Sequence, residues 1–328
     1  MRRFHYFASQ PPLTAYDNPG PVAAVIGMRG HRRDAVKTFA SLLKATESTE
    51  GADAAVRTLV VAPVFQVPAD DARGCRSPDT PEPREGDLLW TCASWIEDGP
   101  ALNGSHVTSF VALDTLILQL LSRWPSLRVV TIAGFSAGAQ MVQHYVGFAR
   151  HEPGAVRMRY VVADPGTWLY FDPVRPQPMQ EGHLVDWSLC EGRTEFLGGC
   201  TLQFADDSGD CPDRNHWKYG TEGLPATLGR TGVDARARYS RADIGYLEGE
   251  LDSGSGPGSF YRILDKSCAA RAQGPYRLQR GLAYAAYDRA LLAPGKGRRI
   301  VVVPGCAHDV ACVFPSEAAH PVLLGAGK

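Results

Sequence analysis

The stretch GFSAG, residues 134–138, places one serine between two glycines where an apolar run meets an amphipathic stretch. Glycines on both sides of a residue remove Cβ atoms where the backbone must bend sharply, so Ser136 can be held in a strained turn that exposes its hydroxyl. A serine hydroxyl becomes a strong nucleophile only when a histidine accepts its proton and an acid orients that histidine. The pattern predicts acyl-transfer chemistry if the chain supplies both partners.

Both partners occur later in the chain, and each stands where an apolar run ends. Asp252 closes the run IGYLEGELD, and His308 follows the run IVVVPGC. The order serine, acid, histidine is expected when a nucleophile turn sits on a parallel sheet and its partners follow later strands. We predict Ser136 as nucleophile, His308 as general base and Asp252 as the orienting acid. Asp164, which closes the strand after the nucleophile helix, is an alternative acid, and Glu250 is a weaker one.

The elements that must position these residues are indicated by short apolar runs bounded by Gly or Pro, as expected for strands buried on both faces of a parallel sheet. The predicted strands are residues 22–27, 58–65, 129–135, 160–166, 244–252 and 300–306. Helical periodicity is clear over residues 32–48 and 105–124, with Ser105 as the expected N-cap of the second helix. Strands alternating with helices predict an α/β fold, a mostly parallel central sheet flanked by helices.

Bulk properties narrow the function class. The 328 residues are 44% hydrophobic, which fits one elaborated domain over residues 1–328. A net charge of -1 gives no reason to expect nucleic acid or an anionic membrane as a partner. We also expect no membrane span, because no apolar run reaches the required length. No cofactor and no metal is predicted, and the oligomeric state is left open.

Long segments rich in Pro, Gly, Asp and Trp interrupt the alternation of strands and helices at residues 66–103 and 167–243. Loops of this length in a compact domain are more often binding loops or lids than passive connections. We predict that residues 167–243 form a lid or cap inserted into the domain and covering Ser136. The alternative is a decoration that disulfides hold in place.

Eight cysteines lie mostly in loops, which suits disulfides better than buried thiols and favours an oxidising compartment. We therefore expect a secreted or periplasmic protein, with a cytoplasmic one as the alternative. Cys306 and Cys312 bracket His308 and are predicted to pair, which would fix the histidine loop. The rival interpretation is a zinc site formed by the same three residues, but no second pair of ligands shows the spacing of structural zinc.

The stretch GFSAG between a strand and a helix, with a later GELD and a final GCAHD, resembles the α/β-hydrolase superfamily of serine esterases and lipases. The resemblance covers residues 22–314. It implies an eight-stranded, mostly parallel sheet and an oxyanion hole built from two backbone N–H groups, those of Ala137 and Met28. Family members often carry His-Gly before the second donor, whereas this sequence has Ile26-Gly27.

The predicted function is hydrolysis of a carboxylic ester, small or polymeric, through an acyl-enzyme. Amide hydrolysis or acyl transfer by the same residues remains open, as does a non-catalytic, hydrolase-like binding module. Trp168, Trp187 and Trp217 could line an acyl pocket or form the core of the lid. Arg29 could anchor a substrate carboxylate, although an ordinary surface arginine is the simpler expectation.

Overall fold

The computed structural model describes residues 2–11, 20–50, 57–154, 156–190, 197–206 and 211–325. Within these residues the strands are β1 His5–Ala8, β2 Ala23–Met28, β3 Thr58–Val64, β4 Pro100–Ala101, β5 Gly104–Thr108, β6 Val129–Phe135, β7 Arg157–Ala163, β8 Arg175–Gln180, β9 His183–Leu184, β10 Thr201–Ala205, β11 Ile244–Gly249 and β12 Ile300–Val303. The α-helices are α1 Ala35–Glu50, α2 Ser109–Arg123, α3 Ala137–Phe148, α4 Gly232–Arg241, α5 Cys268–Arg271, α6 Arg277–Tyr287, α7 Val310–Val313 and α8 His320–Leu323.

The central sheet has the strand order β1-β3-β2-β6-β7-β11-β12. All pairs are parallel except the pair of β1 with β3, which is antiparallel. In the described part of the chain this sheet has seven strands, where the resemblance implied eight. The six predicted strands are all present, and the mostly parallel α/β architecture is confirmed.

Both faces of the sheet are buried, and successive side chains of one strand enter different cores. Ala24 and Ile26 of β2 belong to a core completed by α2, α3 and α6, whereas Val25 belongs to a second core with α1 and the C-terminal helices. This double burial explains why the strands appear in the sequence as continuous apolar runs rather than as alternating ones.

The strand register places the loops that carry the predicted site residues at one edge of the sheet. Met28, at the end of β2, pairs with Gly134 near the end of β6, so both strands end at the same level. Strand β11 lies beside β12, which places the loops that carry Asp252 and His308 next to each other. Ligands and catalytic groups in open α/β sheets gather at this carboxyl edge.

The second predicted helix begins later than expected. Thr108, and not Ser105, precedes α2, and its hydroxyl accepts a hydrogen bond from the Val111 amide at 3.4 Å. Residues 101–108 are instead part of the small β4-β5 hairpin. A threonine cap at the hairpin end stabilises the first turn in the way that a serine cap would.

The segment 167–243 carries its own structure outside the central sheet. Its described residues include the antiparallel sheet β10-β8-β9 and the helix α4. Residues 191–196 and 207–210, which belong to the predicted lid, lie outside the described residues. No helix in the described ranges combines the length and the apolar content that a membrane span requires.

Candidate active site

The nucleophile turn is formed by the junction of β6 and α3. Ser136 has φ 57° and ψ −120°, a backbone conformation that costs a non-glycine residue about 1–3 kcal/mol. A Cβ on Gly134 would lie 2.6 Å from the Ala139 nitrogen, and a Cβ on Gly138 would lie 2.5 Å from the Arg29 carbonyl oxygen. The two glycines therefore let the backbone pass closely enough to hold Ser136 at the sheet edge.

The predicted serine, histidine and acid are hydrogen-bonded in series. His308 Nε2 lies 2.8 Å from Ser136 Oγ, and His308 Nδ1 lies 2.7 Å from Asp252 Oδ2. Asp252 is 1% exposed and His308 is 8% exposed, so water has little access to the histidine–carboxylate bond. With Nδ1–H donating to the carboxylate, the other ring nitrogen is free to accept the serine proton.

The charge of Asp252 is balanced by an arginine that no sequence pattern singles out. Arg277, the first residue of α6, places Nη1 3.2 Å from Asp252 Oδ1 and donates at 2.6 Å to the Ser259 carbonyl. Both side chains are buried, so the pair fixes the carboxylate and compensates its charge in a low-dielectric environment. The carboxylate oxygen that faces away from His308 is therefore also held.

The environment of His308 favours the neutral form of its imidazole. Burial lowers the pKa of its imidazole below 6.5, and the hydrogen bond from Nδ1 to Asp252 partly opposes that effect. A neutral imidazole at neutral pH is the form that can act as a general base.

Asp164, the alternative acid, lies close to this series but does not join it. One of its carboxylate oxygens is within 4.8 Å of ligand atoms of both Asp252 and His308, while Oδ1 accepts a 2.8 Å hydrogen bond from the Gly249 amide. Burial and the nearby Asp252 charge raise the pKa of Asp164 to about 8. Burial and the Asp164 charge likewise raise the pKa of Glu248, which is fully buried. The two carboxyl groups cannot both ionise in this space.

Glu250, the weaker rival, accepts a 2.8 Å hydrogen bond from the Gly305 amide on the outer side of the histidine loop. Asp252 is therefore the carboxylate that contacts His308 directly, as predicted. Asp164 is a buried neighbour whose neutral form is favoured at neutral pH.

No family model and no curated protein matches this sequence. The structure is similar to a poly(3-hydroxybutyrate) depolymerase of Bordetella parapertussis, with a TM-score of 0.56 and 18% identity over 97% of this chain and 83% of that chain. It is also similar to poly(aspartic acid) hydrolase-1 of Sphingomonas sp. KT-1, with a TM-score of 0.58 and 15% identity over 98% of each chain. The chain has the α/β-hydrolase fold. At these identities the likeness concerns the fold, and the chemistry has to be argued from the site.

The two predicted oxyanion donors, Ala137 and Met28, are placed differently in this fold. Ala137 is the first residue of α3, where an amide has no intrahelical partner and points out of the helix end. Met28 is fully buried as the last residue of β2, in register with Gly134. The loop that reaches the Ser136 cleft comes two residues later, at Gly30 and His31. The residues next to Ser136 that could supply the second donor are therefore those of this loop, whereas Met28 does not line the cleft.

The cleft that contains Ser136 has a volume of about 240 Å³. Its walls come from five segments of the chain, and the described lining residues are Gly30, His31, Arg32, Asp34, Lys37, Arg76, Ser77, Pro78, Phe135, Ser136, Phe260, Ile263, His308, Asp309 and Val310. No described residue of the segment 167–243 is among them. The lid over Ser136 stays a prediction.

Two predicted substrate contacts are wrong because their side chains lie in the protein interior. Trp168 is fully buried and stacks on Tyr284 at 4.3 Å between ring centroids. Arg29 is 1% exposed, donates at 3.0 Å to the carbonyls of Gly30 and Phe65, and lies 4.4 Å from the Trp95 ring centroid. Burial lowers the pKa of Arg29 to about 9, and the guanidinium holds the loop after β2 instead of a substrate.

The other two tryptophans lie away from the Ser136 cleft. Trp217 packs on His144 and Phe148 of α3, with ring centroids 4.6 and 5.4 Å apart. Trp187 lines a separate cavity of about 980 Å³, whose wall includes the residues directly after Asp252. Neither Trp187 nor Trp217 is among the described residues that line the Ser136 cleft, so their role in acyl selectivity stays a prediction.

The cysteines are paired as Cys75–Cys92, Cys190–Cys200, Cys211–Cys268 and Cys306–Cys312. The predicted bond across the histidine loop is present, and the zinc interpretation is wrong because both thiols are used. Both ring nitrogens of His308 are likewise engaged, by Ser136 and Asp252.

Proposed function

We propose that this α/β-hydrolase is a serine hydrolase that cleaves a carboxylic ester through an acyl-enzyme. The observation that carries the proposal is the hydrogen-bonded series Asp252, His308, Ser136 at the carboxyl edge of the sheet, with distances of 2.7 and 2.8 Å. A binding module has no physical need for a strained serine, a buried neutral histidine and a charge-balanced carboxylate in one line.

In the acylation step, Ser136 Oγ attacks the ester carbonyl carbon while its proton passes to His308 Nε2. Asp252 stabilises the imidazolium that forms, and Arg277 keeps that carboxylate oriented. The tetrahedral intermediate then releases the alcohol, which takes the proton from His308. Water repeats the sequence on the acyl-enzyme, with His308 again as base, and releases the carboxylic acid.

The negative charge on the carbonyl oxygen needs two N–H donors. We assign the first to Ala137, at the positive end of the α3 dipole. The second belongs to the loop after β2, and His31 is the better choice, since the Gly30 amide already donates to Asp34 Oδ1 at 3.0 Å. His31 lines the cleft beside Ser136, whereas Met28 does not.

The two structural neighbours are named for a polyester and a polyamide substrate, so the fold leaves the scissile bond open. We favour an ester, because an activated serine cleaves esters more readily than amides. An amidase or an acyltransferase is the alternative use of the same acyl-enzyme. The four disulfides support a secreted or periplasmic location.

The test combines a fluorophosphonate probe, which reacts only with an activated serine, with turnover of 4-nitrophenyl acetate. We expect the wild type to be labelled and to turn over, and Ser136→Ala to lose both while keeping its melting temperature within a few degrees. Ser126→Ala is the matched control, because Ser126 donates to the Pro21 carbonyl outside the cleft. A folded wild-type protein that is neither labelled nor active would refute the proposal.

A further inference from the structure

The Ser136 cleft is lined by charged side chains of both signs, most of which are already paired. Lys37 forms a 2.8 Å ion pair with Asp309, and Arg76 lies 3.2 Å from Glu82. Asp34 accepts the hydrogen bond of the Gly30 amide described above. The charges of Lys37, Arg76 and Asp309 are therefore paired within the protein, whereas the carboxylate of Asp34 is held by a backbone amide.

Arg32 is different. It lies on the cleft wall, is exposed to solvent, and has no carboxylate within ion-pair distance among the described residues. Its guanidinium carbon lies 5.4 Å from the ring centroid of Phe260, where the ring face attracts a cation and limits its motion. Arg32 thus presents an uncompensated positive charge that is held in place beside the nucleophile.

His31, the neighbouring cleft residue, adds no second charge. Burial, followed by the charges of Arg29 and Arg32, lowers the pKa of His31, so its ring is neutral at neutral pH. Among the described cleft residues Arg32 is therefore the cation without an ion-pair partner, and a single guanidinium matches a singly charged anion better than a phosphate carrying nearly two charges.

The wall below Arg32 is apolar. Phe260 is 44% exposed and Ile263 is 57% exposed, and both line the cleft. Large apolar side chains that stay exposed beside a nucleophile mark a surface that a ligand covers. The volume of about 240 Å³ is below the roughly 300–1,000 Å³ of pockets for drug-sized ligands, so only a short segment of substrate is enclosed.

We propose that the cleft selects esters that carry a carboxylate at the end of a short apolar segment, with Arg32 binding the carboxylate and Phe260 and Ile263 contacting the segment. This inference rests on the proposed ester hydrolysis at Ser136. The guanidinium is planar and matches a carboxylate with two parallel N–H donors, which a lysine at the same place could not do.

The experiment compares two 4-nitrophenyl esters of equal length. One is the monoester of adipic acid, which ends in a carboxylate, and the other is the ester of 6-oxoheptanoic acid, in which a neutral acetyl group replaces the carboxylate. We expect the wild type to prefer the adipate ester by its ratio of kcat/KM values. In Arg32→Gln that ratio should fall by about fivefold, the upper range for an ion pair at a surface, and most of the change should be in KM.

Arg73→Gln is the matched control. Arg73 is an exposed arginine in the turn Ala72–Gly74, outside the cleft lining, and its loss changes the net charge by the same amount. The ratio should stay at the wild-type value in this variant. Raising the salt concentration should lower the wild-type ratio and leave the ratio of Arg32→Gln almost unchanged.

The outcomes separate the two proposals. If the wild type cleaves both esters with equal kcat/KM, or if Arg32→Gln and Arg73→Gln change the ratio equally, the carboxylate preference is refuted while ester hydrolysis stands. If the folded wild type cleaves neither ester and is not labelled by the fluorophosphonate probe, ester hydrolysis is refuted, and the inference falls with it.

Discussion

Replacing Gly138 by alanine is expected to push the nucleophile turn away from the loop after β2. Gly138 is the second residue of α3 and has no positive φ, so the added methyl group introduces no dihedral strain of its own. The methyl group would, however, collide with backbone atoms of the loop after β2. The new Cβ would lie 2.5 Å from the Arg29 carbonyl oxygen and closer still to that of Met28, and neither oxygen belongs to a flexible side chain.

The size of the effect follows from these distances. Ordinary contact with a Cβ begins at 3.4 Å, so the helix end and the loop must separate by about 1 Å. Overpacking of this kind destabilises a fold by about 1–3 kcal/mol. The movement separates the Ala137 amide from the loop that carries His31, and a displacement of about 1 Å at reacting groups lowers the rate by about a hundredfold.

The assay is kcat/KM for 4-nitrophenyl acetate together with the free energy of unfolding in urea. Gly147→Ala is the matched control, because Gly147 lies in the same helix and its new methyl group would meet Ala235 and Phe171 at 3.4 Å. That variant should keep full activity and should not lose stability, since alanine is favoured over glycine in a helix interior. Wild-type kcat/KM in a folded Gly138→Ala protein would refute the steric argument.

Two further predictions concern buried carboxyl groups and disulfides. Burial raises the pKa of Glu248 in the folded protein above its ordinary value of 4.5, so the stability that its neutral form contributes is present below pH 4.5 and is lost as pH rises through the raised value. Glu248→Gln should therefore raise the melting temperature more at pH 8 than at pH 5, and an equal change at both pH values would contradict the assignment. Removing the Cys306–Cys312 bond, which joins cysteines at a sequence separation of 6, should cost about 2 kcal/mol but lower kcat strongly because it frees the His308 loop. Removing Cys211–Cys268, with a separation of 57, should cost about 4 kcal/mol and leave kcat nearly unchanged, and equal losses of kcat would contradict the role of the first bond.

The buried strands and the nucleophile turn could be predicted because their signals are local. An apolar run bounded by Gly or Pro has few alternatives to a strand covered on both faces, and GFSAG carries its own steric reason for a turn. Strand β1 gave no such signal. Its four residues HYFA lie at the antiparallel edge and are only partly buried, so neither a continuous apolar run nor a clear alternation marks them.

Local sequence signals do not decide which carboxylate contacts His308. Asp164 and Asp252 both follow strands of the same sheet, and the sequence offers no means to rank their distances to His308. The choice depends on Arg277, which belongs to a helix that starts 25 residues after Asp252 and pairs with that carboxylate. It also depends on Glu248, which occupies the space beside Asp164 because Gly281 leaves room for it: a Cβ there would lie 2.5 Å from the Glu248 carboxyl carbon.

Two of the three arginines in the loop after β2, Arg29 and Arg32, show the same limit of local sequence signals for substrate recognition. Arg29 and Arg32 are three residues apart and are equally basic in the sequence, yet Arg29 turns inward because Trp95 and the Phe65 carbonyl provide a ring face and an acceptor for it. Both partners come from segments more than 30 residues away, so no pattern within the loop reveals them. Once Arg29 holds the loop from the inside, Arg32 is left on the cleft wall beside Phe260, another distant residue. The carboxylate anchor that we propose at Arg32 could not be assigned from charge alone, because the packing of other loops decides which arginine reaches the cleft.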